Sequence, residues 1–579
     1  MWLPPSAAHV ASAFSGSCGF RLQAEDLDAE VAYSRGMPFS SRHWSALALA
    51  FVAASAAAAR TAQTPPSAVI AAGKLPQIAT VDERFLSYNV EMAEVIGGNF
   101  WKPYTPQDRI AIGAKPPTEG ARPAPPAQPG LDPSMFQARP PIDLGNRRLR
   151  TLAAALGPAY MRTSGTWANT VYFHDADTPP PAEPPKGFRG VLTRQQWRGV
   201  IDFSRAVDAK LVTSFTISDG VRDAAGAWTP AQAHRLLVFT TAAGGEIYAA
   251  EFFNEPDIPM FGGAPAGYNA EHFARDFATF RIFAKAAAPA MKIAGPGSVG
   301  EAVLLPAQGL DETRTGFIST PDMLMAAPRP SFDILSYHFY GAVSRRCGGA
   351  SGAAQTSADA ALSDDWLGQA DREYAFYRAV RDRLNRSLPI WVTETGESAC
   401  GGNPWASTFL DTFRYLDQMA RLARRGVGAV FHNTLAASDY ALLDDQRGFA
   451  PRPSYWAALL WRRLMGPTVL DTGAHAGLHL YAQCQPGRSG GVTLLAINTS
   501  RTEALPLELS SAADRYTLSA ATLQSSAVQL NGHDLALLAG DALPELSPVR
   551  VPAGRLTLAP ATITFLAVPD AGNAACAGR

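Results

Sequence analysis

Between about residues 82 and 455, eight short apolar, β-prone runs alternate with longer stretches of helical periodicity. The runs are residues 85–90, 159–163, 210–214, 248–253, 292–294, 334–337, 390–393 and 429–432. Helical patterns at 146–156, 193–207, 230–242, 270–287, 369–384 and 407–424 fall between them. Strands separated by helices return through crossovers and pair in parallel. Eight such units close into a (β/α)8 TIM barrel, an α/β fold.

After about Pro467 the texture changes. Short β-like runs at 478–482, 491–498, 505–509, 516–518, 527–530 and 562–568 are separated by turn residues, which predicts a C-terminal all-β sandwich domain. Residues 67–78 are expected to add a strand to it. The expected organisation is a leader over 1–60, a segment over 61–81 joining the sandwich, a catalytic barrel over 82–460 and the sandwich over 461–579. A length of 579 residues suits such a pair. Two proline-rich stretches, 102–141 after the first strand and 179–185, read as irregular loops.

The leader has the form of an export signal. Ser40 to Trp44 is weakly basic, and Ser45 to Ala59 is apolar and ends in small residues. It is too short for a stable membrane span, and Met37 is the expected start. The mature chain is therefore expected in the periplasm or outside the cell. Removing the leader discards Cys18 and leaves Cys347, Cys400, Cys484 and Cys576. An oxidising compartment permits two disulfides, and position along the chain favours Cys347–Cys400 and Cys484–Cys576 over four free thiols. No CxxC or His-rich cluster occurs, so neither metal nor cofactor is expected. A net charge of −1 with 17% charged residues leaves no electrostatic footprint for nucleic acid.

Two glutamates stand where a barrel displays its chemistry, at the carboxyl ends of strands. Glu255, in Phe253-Asn254-Glu255-Pro256, follows the fourth run, and Glu394, in Trp391-Val392-Thr393-Glu394, closes the seventh. Glycosidic bond cleavage needs one protonated and one ionised carboxyl. Glu255 is the expected acid/base, with Asn254 placed to hold a sugar 2-hydroxyl. Glu394 is the expected nucleophile in preference to Glu397, which belongs to the following loop. Carboxyls about 5–5.5 Å apart would make the enzyme retaining.

The stretches 149–152 and 157–165, with Phe85-Leu86-Ser87, Asn254-Glu255-Pro256, Tyr337-His338-Phe339-Tyr340, Gly401-Gly402 and residues 439–444, resemble heparanase and its β-glucuronidase relatives, glycoside hydrolase family 79. The likeness closes with Leu530-Asn531-Gly532 and residues 562–566, and it spans most of 80–570. It implies a retaining clan A barrel with a β-sandwich. It also implies that Glu91 contacts sugar hydroxyls, and that Gly401 and Gly402 present backbone N–H groups to a uronic acid carboxylate. Glycine permits the close approach, and peptide donors suit an anion. Tyr440 would touch the same carboxylate. One residue more separates Glu394 from the diglycine than in heparanase.

Phe339 stands where heparanase has a tyrosine, so Tyr340 is expected to bring the aromatic hydroxyl near the nucleophile, and His338 and Tyr340 are both expected to meet the substrate. Thr166, Trp167 and Asn169 are expected to line the cleft, and Arg345 and Arg346 to form a solvated basic loop. The implied activity is that of an exported β-glucuronidase acting on a glucuronic-acid-containing saccharide or glucuronide conjugate. Exo action is favoured over heparanase-like endo cleavage because strongly basic clusters are missing. A clan A glycosidase for a neutral sugar, such as a β-xylosidase, and a non-catalytic carbohydrate-binding protein are the competing readings.

Overall fold

The computed structural model describes residues 69–105, 107–108, 133–304, 316–350 and 355–578. The expected leader, the Met37 start and most of the proline-rich stretch lie outside them. Eight parallel strands close a barrel: Leu86–Asn89, Ala159–Thr163, Ala209–Ser214, Ile247–Glu251, Lys292–Ser298, Ile334–Phe339, Ile390–Thr395 and Ala429–His432. These are the barrel strands one to eight, and each pairs with its neighbour in sequence, the eighth closing on the first.

Several strand ends differ from the sequence expectation, strands five and six running on to Ser298 and Phe339, and two of the differences bear on the site. Strand four stops at Glu251, because Phe252 and Phe253 leave the ladder to pack among Phe273, Phe277 and Phe280. Strand seven runs on to Thr395 and so contains Glu394.

The C-terminal strands form two sheets. One has nine strands, including Thr468–Leu470, His479–Cys484, Val492–Asn498, Ala513–Ser519 and Thr562–Val568, with Gln77–Thr80 at its edge. The other joins Val69–Ile70, Leu505–Leu509 and Gly554–Leu558. Side chains alternate along a strand, and Val492–Asn498 shows the consequence. Leu494 and Ala496 face a core shared with Ile70, Leu507 and Leu558 of the smaller sheet, whereas Leu495 and Ile497 join the barrel core. The large sheet is thus buried on both faces, one against its partner sheet and one against barrel helices such as Pro453–Leu464.

The proline-rich stretch is not irregular throughout. Phe136–Arg139 pairs antiparallel with Gly98–Trp101, and the Phe136 ring stacks on Trp101 at 4.7 Å. Residues 179–185 link Val171–His174 and Gly190–Thr193, which pair in parallel. Cys347 is bonded to Cys400 and Cys484 to Cys576. Among the described residues no helix is long and apolar enough to cross a membrane.

Candidate active site

The carboxyl ends of the barrel strands converge on one guanidinium. Arg162 of strand two is fully buried, and an inward-facing charge there is tolerated only when paired. Its Nε donates to Glu251 Oε2 at 3.0 Å, Nη1 to Glu394 Oε2 at 2.8 Å, and Nη2 to Asn254 Oδ1 at 2.7 Å. Glu251 also accepts from Ser336 and Thr393, each at 2.7 Å. Burial alone would raise the Glu251 carboxyl, but Arg162, His338 and these hydroxyls hold it below the usual carboxylate range. Glu251 therefore serves as a buried counter-ion beneath the site.

Glu394 is 6% exposed. Beyond Arg162 it accepts from the Tyr340 hydroxyl at 2.7 Å and from Asn433 Nδ2 at 3.3 Å. Asn433 follows strand eight and also donates to the hydroxyls of Tyr340 (3.0 Å) and Tyr440 (3.2 Å). The aromatic hydroxyl beside Glu394 is thus that of Tyr340.

Glu255 is 7% exposed and lies beyond the end of strand four, with a left-handed backbone at φ 49°. For a residue other than glycine that conformation costs about 1–3 kcal/mol, so the surroundings must hold it. Burial raises the carboxyl to about 7; Arg162 opposes the rise and Glu251 adds to it. His338 Nδ1 lies 3.1 Å from Glu255 Oε1, and its Nε2 lies 3.2 Å from Arg162 Nη2. A guanidinium only donates, so Nε2 is the acceptor and the Nδ1–H donates to Glu255. Burial lowers this imidazole to about 4, which keeps it neutral. His338 is fully buried with both nitrogens engaged, so it holds the carboxyl of Glu255; the sequence expectation that it meets substrate is corrected.

Carboxylate oxygens of Glu255 and Glu394 and a nitrogen of His338 all lie within 4.8 Å of one another. Three such groups can ligate a metal, but here the Arg162 cation already donates to Glu394 and His338. The chemistry of the set suits acid and nucleophile roles better than a metal centre.

Glu91 follows strand one and is 4% exposed. Its backbone N–H donates to Glu94 at 2.7 Å, while its own Oε2 has no hydrogen-bond partner among the described residues. A Cβ at Gly165 would lie 1.5 Å from that oxygen, so the glycine is what makes room for it. Burial, then the charge of Glu394, push the Glu91 carboxyl well above its ordinary value.

The loop after strand seven carries three successive left-handed residues: Cys400 (φ 64°), Gly401 (81°) and Gly402 (86°). Its disulfide to Cys347 ties it to the loop after strand six. Among the described residues no acceptor sits on the N–H of Gly401 or Gly402. The Tyr440 ring packs on Gly402, where a Cβ would come within 3.1 Å of it. Glu397 is consumed inside this loop: it accepts from Asn403 N (2.8 Å), Asn403 Nδ2 (3.1 Å) and Ser398 Oγ (2.7 Å). Both of its carboxylate oxygens are therefore engaged within the loop, with the Arg162 guanidinium bonded to Glu394 instead.

Three other expectations change. Thr166 lines a separate cleft of about 310 Å³ with Trp167, Phe261 and Gly262, apart from the carboxylate pair. Asn169 is fully buried and makes its bonds to the protein. Arg346 is not solvated: it pairs with Asp439 at 3.1 Å and lies over the Tyr104 ring at 4.1 Å, while Arg345 lies over Trp405. Sequence reading assigned no role to Arg162, Glu251 or Asn433. A charge within a barrel strand was the available signal for the first two; Asn433 offered none.

No protein-family model matches the chain. It is 25% identical over 494 residues to heparanase-like protein 1 of Arabidopsis thaliana, covering 75% of this chain and 86% of that one. It is 33% identical over 227 residues to heparanase of Gallus gallus, covering 35% and 43%. Over 253 residues it is 28% identical to a baicalin-β-D-glucuronidase of Scutellaria baicalensis, covering 42% and 46%. Among solved structures, it shares its fold with a 4-O-α-L-rhamnosyl-β-D-glucuronidase from Fusarium oxysporum 12S (TM-score 0.55, 13% identity, 85% of this chain and 99% of that one). A family 51 arabinofuranosidase from Xanthomonas axonopodis pv. citri shares it as well (TM-score 0.53, 15% identity, 85% and 97%).

Proposed function

Because the chain belongs to glycoside hydrolase family 79, the heparanase and β-glucuronidase family, we propose that it cleaves β-linked glucuronic acid with retention. In the first step a Glu394 oxygen bonds to the anomeric carbon as the glycosidic C–O bond breaks, and the Glu255 proton passes to the leaving oxygen. In the second, Glu255 takes a proton from water, whose oxygen displaces Glu394 and frees the sugar with its original configuration. The observation that carries this reading is the approach of the two carboxyls to within 4.8 Å, close to the separation of retaining enzymes. A Glu255 carboxyl near 7 fits a group that gives and then takes a proton.

The uronate carboxylate is assigned to the unengaged N–H groups of Gly401 and Gly402 and to the Tyr440 hydroxyl. Glu91, with its unpartnered oxygen, is assigned to a sugar hydroxyl, and Asn254 to the 2-hydroxyl. Exo action is favoured by the start of the proline-rich stretch. Tyr104 N donates to Asp439 (3.2 Å), and its hydroxyl meets Ser344 Oγ (2.8 Å), which donates to Gly402 O (2.7 Å). These bonds hold the chain against the diglycine loop, where it would stand in the way of a longer saccharide. Two disulfides support a periplasmic or extracellular location.

Nitrophenyl β-glucuronide and β-xyloside, assayed with wild type, Glu255→Gln and Glu394→Gln, test the reading. Wild type is expected to cleave the glucuronide and both variants to lose activity. Cleavage of the xyloside alone would overturn the uronate assignment, and retained activity in both variants would overturn the mechanism.

A further inference from the structure

We propose that Asn169 positions the acid/base: its side-chain amide grips both peptide groups of Asn254 and so fixes the backbone from which Glu255 projects. This rests on Glu255 being the acid/base.

Asn169 lies on the short helix Thr166–Thr170 after strand two and is fully buried. Its Nδ2 donates to Asn254 O at 2.8 Å, and its Oδ1 accepts from Asn254 N at 2.8 Å. The amide thus replaces one rung of a strand ladder just past Glu251, where strand four has ended. Its own main chain is anchored in turn. Asn169 O accepts from Ile217 N (2.9 Å), Ser218 N (3.2 Å) and Thr216 Oγ1 (2.8 Å), in the loop after strand three. One residue therefore ties together the loops after strands two, three and four.

The next residue after the gripped peptide is Glu255, at φ 49°. A left-handed non-glycine residue relaxes unless its neighbours are held. Asn254 is held on its side chain by Arg162 and on its backbone by Asn169. Glu394 draws its own contacts from Arg162, Tyr340 and Asn433 and none from Asn169. Loss of the Asn169 amide should therefore misplace the acid/base and leave the nucleophile in place.

That separation gives a signature that general destabilisation lacks. Phenyl β-glucuronide needs a proton on its leaving oxygen, whereas dinitrophenyl β-glucuronide does not. For Asn169→Ala, kcat/KM on the phenyl substrate should fall about 100-fold, and on the dinitrophenyl substrate less than about threefold. The rate at which a fluorinated dinitrophenyl glucuronide labels the enzyme should stay near wild type, which also shows that the site is folded. Asn169→Asp keeps the acceptor for Asn254 N–H but not the donor, and should show the same dependence on leaving group with a smaller loss. It decides the matter where the alanine variant does not fold. Equal losses on both substrates, or no loss on the phenyl substrate, would overturn the inference. If wild type cleaves another aryl β-glycoside in place of the glucuronide, the substrate reading fails, and the same leaving-group pair of that sugar tests Asn169 separately.

Discussion

The Tyr340 hydroxyl donates to the Glu394 carboxylate at 2.7 Å and accepts from Asn433 Nδ2 at 3.0 Å, so its single proton is committed to the proposed nucleophile. The phenol aims one carboxylate oxygen while Arg162 holds the other.

Tyr340→Phe should therefore lower kcat by roughly 10–100-fold, the equivalent of one hydrogen bond to a charged group, about 1.5–3 kcal/mol. KM should change little, because the hydroxyl serves the nucleophile and is not assigned to the sugar. Steady-state kinetics on an aryl β-glucuronide check this, and a wild-type kcat would contradict it.

Burial raises Glu255 to about 7, and the first step uses its protonated form, so kcat/KM should decline as pH rises through about 7. The same shift bears on stability. A carboxyl with a higher pKa folded than unfolded contributes stability that is full below the unfolded value and lost as pH rises through the folded one. Glu255→Gln should thus match wild type in Tm at about pH 4.5 and below and exceed it by a margin that grows up to about pH 7 and then levels off. Comparing the two proteins cancels His432, which is not in contact with Glu255 and whose burial lowers it to about 3 and acts in the opposite direction. A margin that does not change with pH would contradict the assignment.

Gly402 has φ 86°, and a Cβ there would come within 2.9 Å of Ala406 Cβ and 3.1 Å of the Tyr440 ring. Gly402→Ala should displace the loop N–H groups and raise KM for a β-glucuronide about tenfold, or about 1.4 kcal/mol. Any turnover of the matching β-glucoside, which lacks the carboxylate, should be spared. The ratio of the two kcat/KM values measures the effect, and equal losses would remove the diglycine from carboxylate recognition.

The eight barrel strands were legible because a strand covered on both faces reads as a continuous apolar run. Helix Pro453–Leu464 was not, since ten of its twelve residues are buried between the barrel and the large sheet, which erases helical periodicity. The Glu255 and Glu394 motifs were visible locally, but their organiser was not. Arg162 and Glu251 are 89 residues apart, and only barrel closure shows that each neutralises the other. His338 was placed in the right neighbourhood and given the wrong partner, because a motif does not reveal that both ring nitrogens are already used. Asn433 and Asn169 act through side-chain amides that reach groups at the ends of distant strands, Tyr340 and Asn254, and no local pattern announces such bonds.

The most direct test of the central claim is to trap the covalent intermediate. A fluorinated β-glucuronide with a dinitrophenyl leaving group should inactivate the enzyme in proportion to released dinitrophenol, and mass spectrometry of the digested protein should place one sugar on Glu394. A sugar on Glu397 or Glu251, or turnover with no covalent adduct, would contradict the assignment of Glu394 as nucleophile.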